Sequence, residues 1–206
     1  NKAARTTCVK PAGTTSLVLG TSSGIHAWHN EFYIRRLRVG KNEPIYKYLL
    51  AHNPDLVKDE YFRPHDTAVI EIPQSAPKGS IMRTESAFDL LKRVKQVATE
   101  WVKPGHRKGS NTHNVSATIS LKSDEWDKAG KWMWDNRECY NGLAVLPYDG
   151  GSYTQAPFED ITEEEFNKRV KLLSDVDLSH IIESTDETDL SGELACAGGS
   201  CEISSL

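Results

Sequence analysis

"VKPAGTTSLVLGTSSGI", residues 9 to 25, places two proline- or glycine-bearing turns and a run of hydroxyls around one short apolar stretch. A short strand from Arg5 to Val9 is expected to end at Pro11. A helix body over Ser16 to Leu19 comes next, stopped by Gly20. A strand, a tight turn of small residues and a helix start together make a recipe for holding phosphate. The first N–H groups of a helix lack internal partners, and the macrodipole puts partial positive charge there. Gly13 permits close backbone approach, Ala12 adds little bulk, and Thr14, Thr15 and Ser16 add hydroxyls. The stretch lacks the G-x-x-x-x-G-K-[ST] pattern with its lysine, and it is not G-x-G-x-x-G. Caps for a short core helix remain the plain alternative.

Working outward, strands and helices alternate. Tyr33 to Val39 and "TAVIEI" (67 to 72, ended by Pro73) have strand composition, and Glu43 to Ala51 is a helix with Pro44 in its first turn. The clearest helix is Glu85 to Trp101, with Ala87, Leu90, Leu91, Val94, Val97, Ala98 and Trp101 on one face. Val115, Ala117, Ile119 and Leu121 alternate as in a half-buried strand. Ser123 is expected to cap a helix whose apolar stripe is Trp126, Ala129 and Met133. "GLAVLP" (142 to 147) has the character of a buried strand, and "DGGSY" (149 to 153) that of a turn. Thr162 and Glu165 form a capping box with Ile161 and Phe166 at staple spacing, opening a helix to about Leu173. This order implies an α/β architecture with largely parallel pairing.

Composition narrows the function. With 38% apolar residues the 206-residue chain can fold around a sizeable core. No run of eighteen or more apolar residues is present, so no membrane partner is expected. A net charge of −4 and a pI near 6.0 argue against sequence-independent nucleic-acid binding. Four cysteines, two of them near the C-terminus, suit a cytoplasmic protein better than a secreted disulfide scaffold. The first residue is Asn1, and a fragment, a processed product or half of a split protein is expected. His26 and His29 suggest loop residues, with no carboxylate spacing to complete a metal site; no metal is assigned.

Two segments are expected: residues 1–182 as the folded portion, and 183–206 as a flexible tail that is acidic, hydroxyl-rich and glycine-rich. Cys196 and Cys201 in that tail are close enough for a small intrachain disulfide. A thiol–disulfide shuttle is the functional reading, and about 20 Å of flexible reach separates Glu183 from Cys196. A closed zinc site needs four ligands, and no second close pair of Cys or His lies nearby. Two incidental cysteines are the other alternative.

These residues resemble a known family. "KPAGTTSLVLGTSSGIH", "GSNTHNVSATIS" (109 to 120), "WMWDNRECYNGLAVLPYDGGSY" (132 to 153), "PFEDIT" (157 to 162) and "CAGGSCEI" (196 to 203) are similar to segments of the large chain of ribonucleotide reductases. The adenosylcobalamin-dependent, class II ribonucleoside-triphosphate reductases are the most similar kind. The resemblance implies the C-terminal portion of a ten-stranded α/β barrel. It places substrate ribonucleotide phosphates on Ala12, Gly13, Thr14, Thr15 and Ser16, and a redox role on Cys196 and Cys201. It further implies adenosylcobalamin in the complete enzyme, a thioredoxin-type reductant, and an N-terminal catalytic portion on the same or a separate chain. The radical-carrying cysteine is expected upstream, so this chain alone should not turn over substrate. Cys8 and Cys139 stand outside an N-x-C-x-E pattern and are expected to be buried or structural. A non-catalytic nucleotide- or phosphate-binding module with a redox-sensing tail is the alternative function.

Overall fold

The computed structural model describes residues 2–148, 150, 153–173 and 176–182. The chain is mixed α/β and divides into two compact units, a boundary the sequence does not announce. The described part of the first comprises residues 2–28, 79–148 and 150; that of the second comprises 29–78, 153–173 and 176–182. Residues 183–206, the expected tail, lie outside the described residues.

The first unit is organised by one apolar cluster. Helix α1 spans Gly13–Leu19, and Gly20 at φ +60° lets Thr21 N–H close back on the Ser16 carbonyl at 2.9 Å. This six-to-one bond is a Schellman stop, the ending that the glycine predicts. Leu90, Leu91 and Val94 of one helix pack with Val115, Ala117, Ile119 and Leu121 of the alternating stretch and with Ala129 of another helix. The elements that carry these residues are α3 (Ala87–Val97), β4 (Thr118–Leu121) and α4 (Trp126–Asp135), and β5 is Ala144–Pro147. Strand β4 pairs with β5 in parallel; the strand expected over Arg5 to Val9 is not formed, and that stretch makes only isolated bridges, Arg5 with His106 and Val9 in parallel with Val115.

Three local expectations change here. Helix α3 begins after Ser86, whose hydroxyl accepts from Asp89 N–H, and it widens into a π turn over Ala98–Val102. The surplus residue rotates the face, so Val102 is buried at 3% while Trp101 is 53% exposed. Ser123 does not cap α4; the N-cap is Glu125, whose carboxylate accepts the Lys122 N–H at 2.8 Å. β5 is edged by solvent rather than fully buried.

The second unit is a four-stranded antiparallel sheet in the order β2-β3-β1-β6. Here β1 is Phe32–Gly40, β2 Val57–Asp59, β3 Thr67–Ser75 and β6 Phe158–Asp160, while α2 is Pro44–His52 and α5 Glu163–Val170. The expected largely parallel pairing is therefore wrong for this unit. The loop from Glu60 to Asp66 reverses the chain between β2 and β3, and β3 then lies antiparallel to all of β1, from Phe32↔Ser75 to Gly40↔Thr67. β3 also runs through Pro73, because β2 covers only Ala68 to Ile70 and leaves that edge open beyond. Thr162 caps α5 by accepting from Glu165 N–H, as expected, and Phe166 packs on Phe32 at 5.1 Å between rings. Tyr33, Ile34, Leu49, Leu56, Val69 and Ile70 form the core.

Buried charge in this unit is paired. Glu71 on β3 is 8% exposed and lies between Arg36 (2.8 Å) and Arg169 (3.2 Å). Glu60 pairs with Arg38 and accepts from the Phe62 and Arg63 amides at 2.7 Å each. Among the described residues Gln155 alone is a non-glycine with positive φ (55°), and its side-chain amide bridges Tyr61 N–H and the Asp59 carbonyl.

Candidate functional site

The loop before α1 is built by contacts far apart in sequence. The first intrahelical bond runs from Ser16 N–H to the Ala12 carbonyl at 3.4 Å, so the amides of Gly13, Thr14 and Thr15 precede it. Such first-turn amides are the anion-facing groups of a helix. Thr15 is exposed, whereas Ser16 is buried and its hydroxyl donates to the Ala12 carbonyl. Ser16 thus contributes a fixed turn more than a free donor.

The loop is fastened from behind. Ala12 N–H donates to Ser23 Oγ at 3.1 Å. The Ser23 carbonyl accepts from His26 N–H and lies 2.8 Å from His26 Nδ1. His26 Nε2 lies 3.0 Å from Thr118 N, at the start of β4. An amide can only donate, so Nε2 must be the acceptor and Nδ1 must carry the ring proton. Both ring nitrogens are engaged by backbone, which leaves His26 with no lone pair for a metal. Gly24, at φ +60°, packs against the chain at Lys10 and Pro11, where a Cβ would sit 3.3 Å from the Lys10 carbonyl oxygen. Arg93 of α3 donates to the Ile25 carbonyl (3.0 Å) and pairs with Glu85; that hydrogen bond holds the guanidinium pKa above its usual value.

The parallel segments also fix the loops beside β4 and β5. Asn114 donates to the Gly142 carbonyl (2.9 Å) and accepts from Asn141 N–H, while Asn141 donates to the Thr112 carbonyl (2.7 Å). Tyr148 N–H reaches the Leu121 carbonyl at 2.8 Å, and Lys122 lies 5.7 Å from the centre of the Tyr148 ring. Gly150 has φ +79°, as a turn there requires; Asp149, Gly151 and Ser152 lie outside the described residues.

Ala12, Gly13, Thr14, Thr15 and Ser16 are thus brought together as one turn, by helix geometry. Cys196 and Cys201 lie outside the described residues. Cys8, expected to be buried or structural, is exposed; its carbonyl accepts from Trp101 Nε1 (3.3 Å) because the π turn presents the indole there. Cys139 is half-buried. Sequence reasoning passed over Ser23, Gly24 and Thr118 as site residues. Gly24, ending the polar "TSSG" run, was the one available signal.

No family model matches the chain. It is 28% identical over 207 residues to the adenosylcobalamin-dependent ribonucleoside-triphosphate reductase of Lactobacillus acidophilus, covering 98% of this chain and 27% of that protein. The enzyme of the same name from Euglena gracilis is 27% identical over 201 residues, covering 95% and 26%. A crystal structure of a B12-dependent, class II ribonucleotide reductase matches with a TM-score of 0.67 and 25% identity, over 84% of this chain and 23% of that one. The chain spans about a quarter of the length of the curated relatives it matches. A likeness of sequence and a likeness of fold point to the same enzymes: the chain is similar to class II ribonucleotide reductases over about a quarter of their length.

Proposed function

We propose that this chain is the C-terminal portion of a class II ribonucleotide reductase and takes part in converting ribonucleoside triphosphates to deoxyribonucleotides. The observation that carries this reading is the turn at Ala12–Ser16, tied to β4 through Ser23 and His26, in a chain similar to the reductases over nearly its whole length. In this role the amides of Gly13, Thr14 and Thr15 face the substrate phosphates, and the His26 anchor holds them in position. The remaining part of the catalytic chain completes a ten-stranded barrel and carries the radical cysteine. Adenosylcobalamin supplies the radical when bound; no residue of this chain is assigned to it. No described helix is long and apolar enough to cross a membrane, and a cytoplasmic setting suits a thiol-based reductase.

Cys196 and Cys201 serve as the electron carrier. Two thiols become one disulfide as a disulfide at the reaction centre opens to two thiols, passing two electrons and two protons. A thioredoxin-type dithiol then reduces the tail again. The test is reconstitution with the upstream portion of a class II reductase, adenosylcobalamin and a ribonucleoside triphosphate. Deoxynucleotide is expected only when both portions are present. Gly13→Val should weaken nucleotide binding more than folding, and Cys196→Ser should spare the first turnover but stop later ones. Nucleotide binding without any product from the reconstituted pair would overturn the reading.

A further inference from the structure

The chain contains one Asn-Gly pair, Asn141-Gly142, at the entry to β5. Every other asparagine precedes a residue that has a side chain. The pair matters chemically because a main-chain nitrogen can attack the side-chain amide carbon of the residue before it. Glycine has no Cβ to obstruct that approach. Both residues are exposed to water, and the Gly142 N–H donates to no acceptor among the described residues. Neither burial nor a hydrogen bond therefore withholds the attacking nitrogen.

A clasp withholds it instead. Asn114 Oδ1 accepts the Asn141 N–H at 3.3 Å, and Asn114 Nδ2 donates to the Gly142 carbonyl at 2.9 Å. One side chain thus grips the main chain on both sides of the Asn141–Gly142 peptide. The Asn141 side chain is fixed as well, its Nδ2 donating to the Thr112 carbonyl at 2.7 Å. A carbonyl can only accept and an N–H can only donate, so each of these side-chain amides has one possible orientation. Bringing the Gly142 nitrogen against the Asn141 side-chain carbon rotates the peptide between them, and that rotation breaks the Asn114 bonds.

We propose that Asn141 is a site of spontaneous deamidation held shut by Asn114 and Thr112, and that it converts when the loop 109–114 parts from the entry to β5. The Gly142 nitrogen loses its proton and bonds to the Asn141 side-chain carbon; the bond from that carbon to Nδ2 breaks, and ammonia leaves. Water then opens the cyclic imide. Breaking the new nitrogen–carbon bond gives aspartate. Breaking the original peptide bond gives isoaspartate, with the main chain rerouted through the former side chain. Either product gains a negative charge and lacks the amide that donated to the Thr112 carbonyl, so the tie cannot re-form. A passing opening thereby becomes permanent. It undermines the Ala144 N–H, which donates to the Ala117 carbonyl at 3.2 Å just beyond. All these residues belong to the first unit, so the proposal holds or fails apart from the reductase reading.

Incubation of the full chain at neutral pH, with and without urea, tests it by mass spectrometry of the peptide that contains Asn141. Conversion is expected to be at least about tenfold slower in the folded chain than in urea, which corresponds to a local opening of about 1.4 kcal/mol or more. Asn114→Ala should bring the folded rate to within about threefold of the urea rate with the circular dichroism spectrum unchanged. Asn114→Ser, too short to span both bonds, serves if the alanine variant does not fold. A Cβ at Gly142 would meet nothing within 4 Å, so Gly142→Ala should fold and slow conversion in urea many-fold. Asn141→Asp, which mimics one product, should speed hydrogen exchange at the Ala144 amide several-fold. Equal rates in the folded chain and in urea would overturn the proposal, as would a folded Asn114 variant that converts no faster than the parent. Unchanged exchange at Ala144 in Asn141→Asp would overturn the permanence of the opening.

Discussion

Arg36 and Arg38 on the central strand of the second unit are each tied to a buried carboxylate, whereas Lys2, Lys103, Arg107 and Lys108 of the first unit meet none among the described residues. The side chains of Arg36 and Glu71 are 9% and 10% exposed. A charge held that far from water must be matched on the spot, so Arg36 is committed to its carboxylate. Solvated cations carry no such obligation. The difference separates charge that fixes the position of strands from charge that is open to a partner. It also assigns cohesion differently: the first unit is held by an apolar cluster, and the second adds a paired network to its core.

Three perturbations probe that contrast. Leu91 is fully buried in the first unit's cluster, and Leu91→Ala should cost about 4 kcal/mol in denaturant unfolding, with little dependence on salt. A loss under about 1 kcal/mol would mean that the apolar cluster is not what holds this unit. Glu71→Ala should cost about 3 kcal/mol, because it leaves Arg36 and Arg169 beside an empty site. Combining Arg36→Met with Glu71→Leu should restore most of that stability. Failure of the pair to recover would show that the network does more than match its own charge.

The smallest effect is at Asp66, where hydrogen bonds from Arg63 and Thr67 lower the carboxyl pKa from 3.8 to about 2. A carboxylate with a depressed folded pKa favours the folded state above the unfolded value, and that contribution disappears as pH falls through the folded one. The window therefore runs from near pH 4 down to near pH 2. Carboxyl carbon NMR should put the Asp66 midpoint near the lower end. A midpoint at 3.8 would mean that the Arg63 and Thr67 contacts do not form in solution.

Local signals in the sequence were legible where their physics is local. Gly20 ends α1, Thr162 opens α5 and Pro44 opens α2, because caps and fixed φ act within a turn. The direction of β3 against β1 was not legible, since alternation sets which face is buried but says nothing of strand orientation. The strands β2 and β6 are only three residues long and carry too little pattern to be seen. At the site the turn of small residues was evident. Its fastening to Thr118 crosses more than ninety positions, and no local pattern encodes a bond of that span.

The widened turn after α3 has a consequence for how residues 7 and 8 are kept. Thr7 donates its hydroxyl to the Trp101 carbonyl at 2.8 Å, and the indole reaches back to Cys8. The second contact exists because one surplus residue turned the ring outward. Delete that residue and the helix would regain its ordinary pitch, the ring would swing inward, and Cys8 would lose its clasp. A local imperfection in winding thus serves as the hook that latches Thr7 and Cys8 ahead of the turn that opens α1.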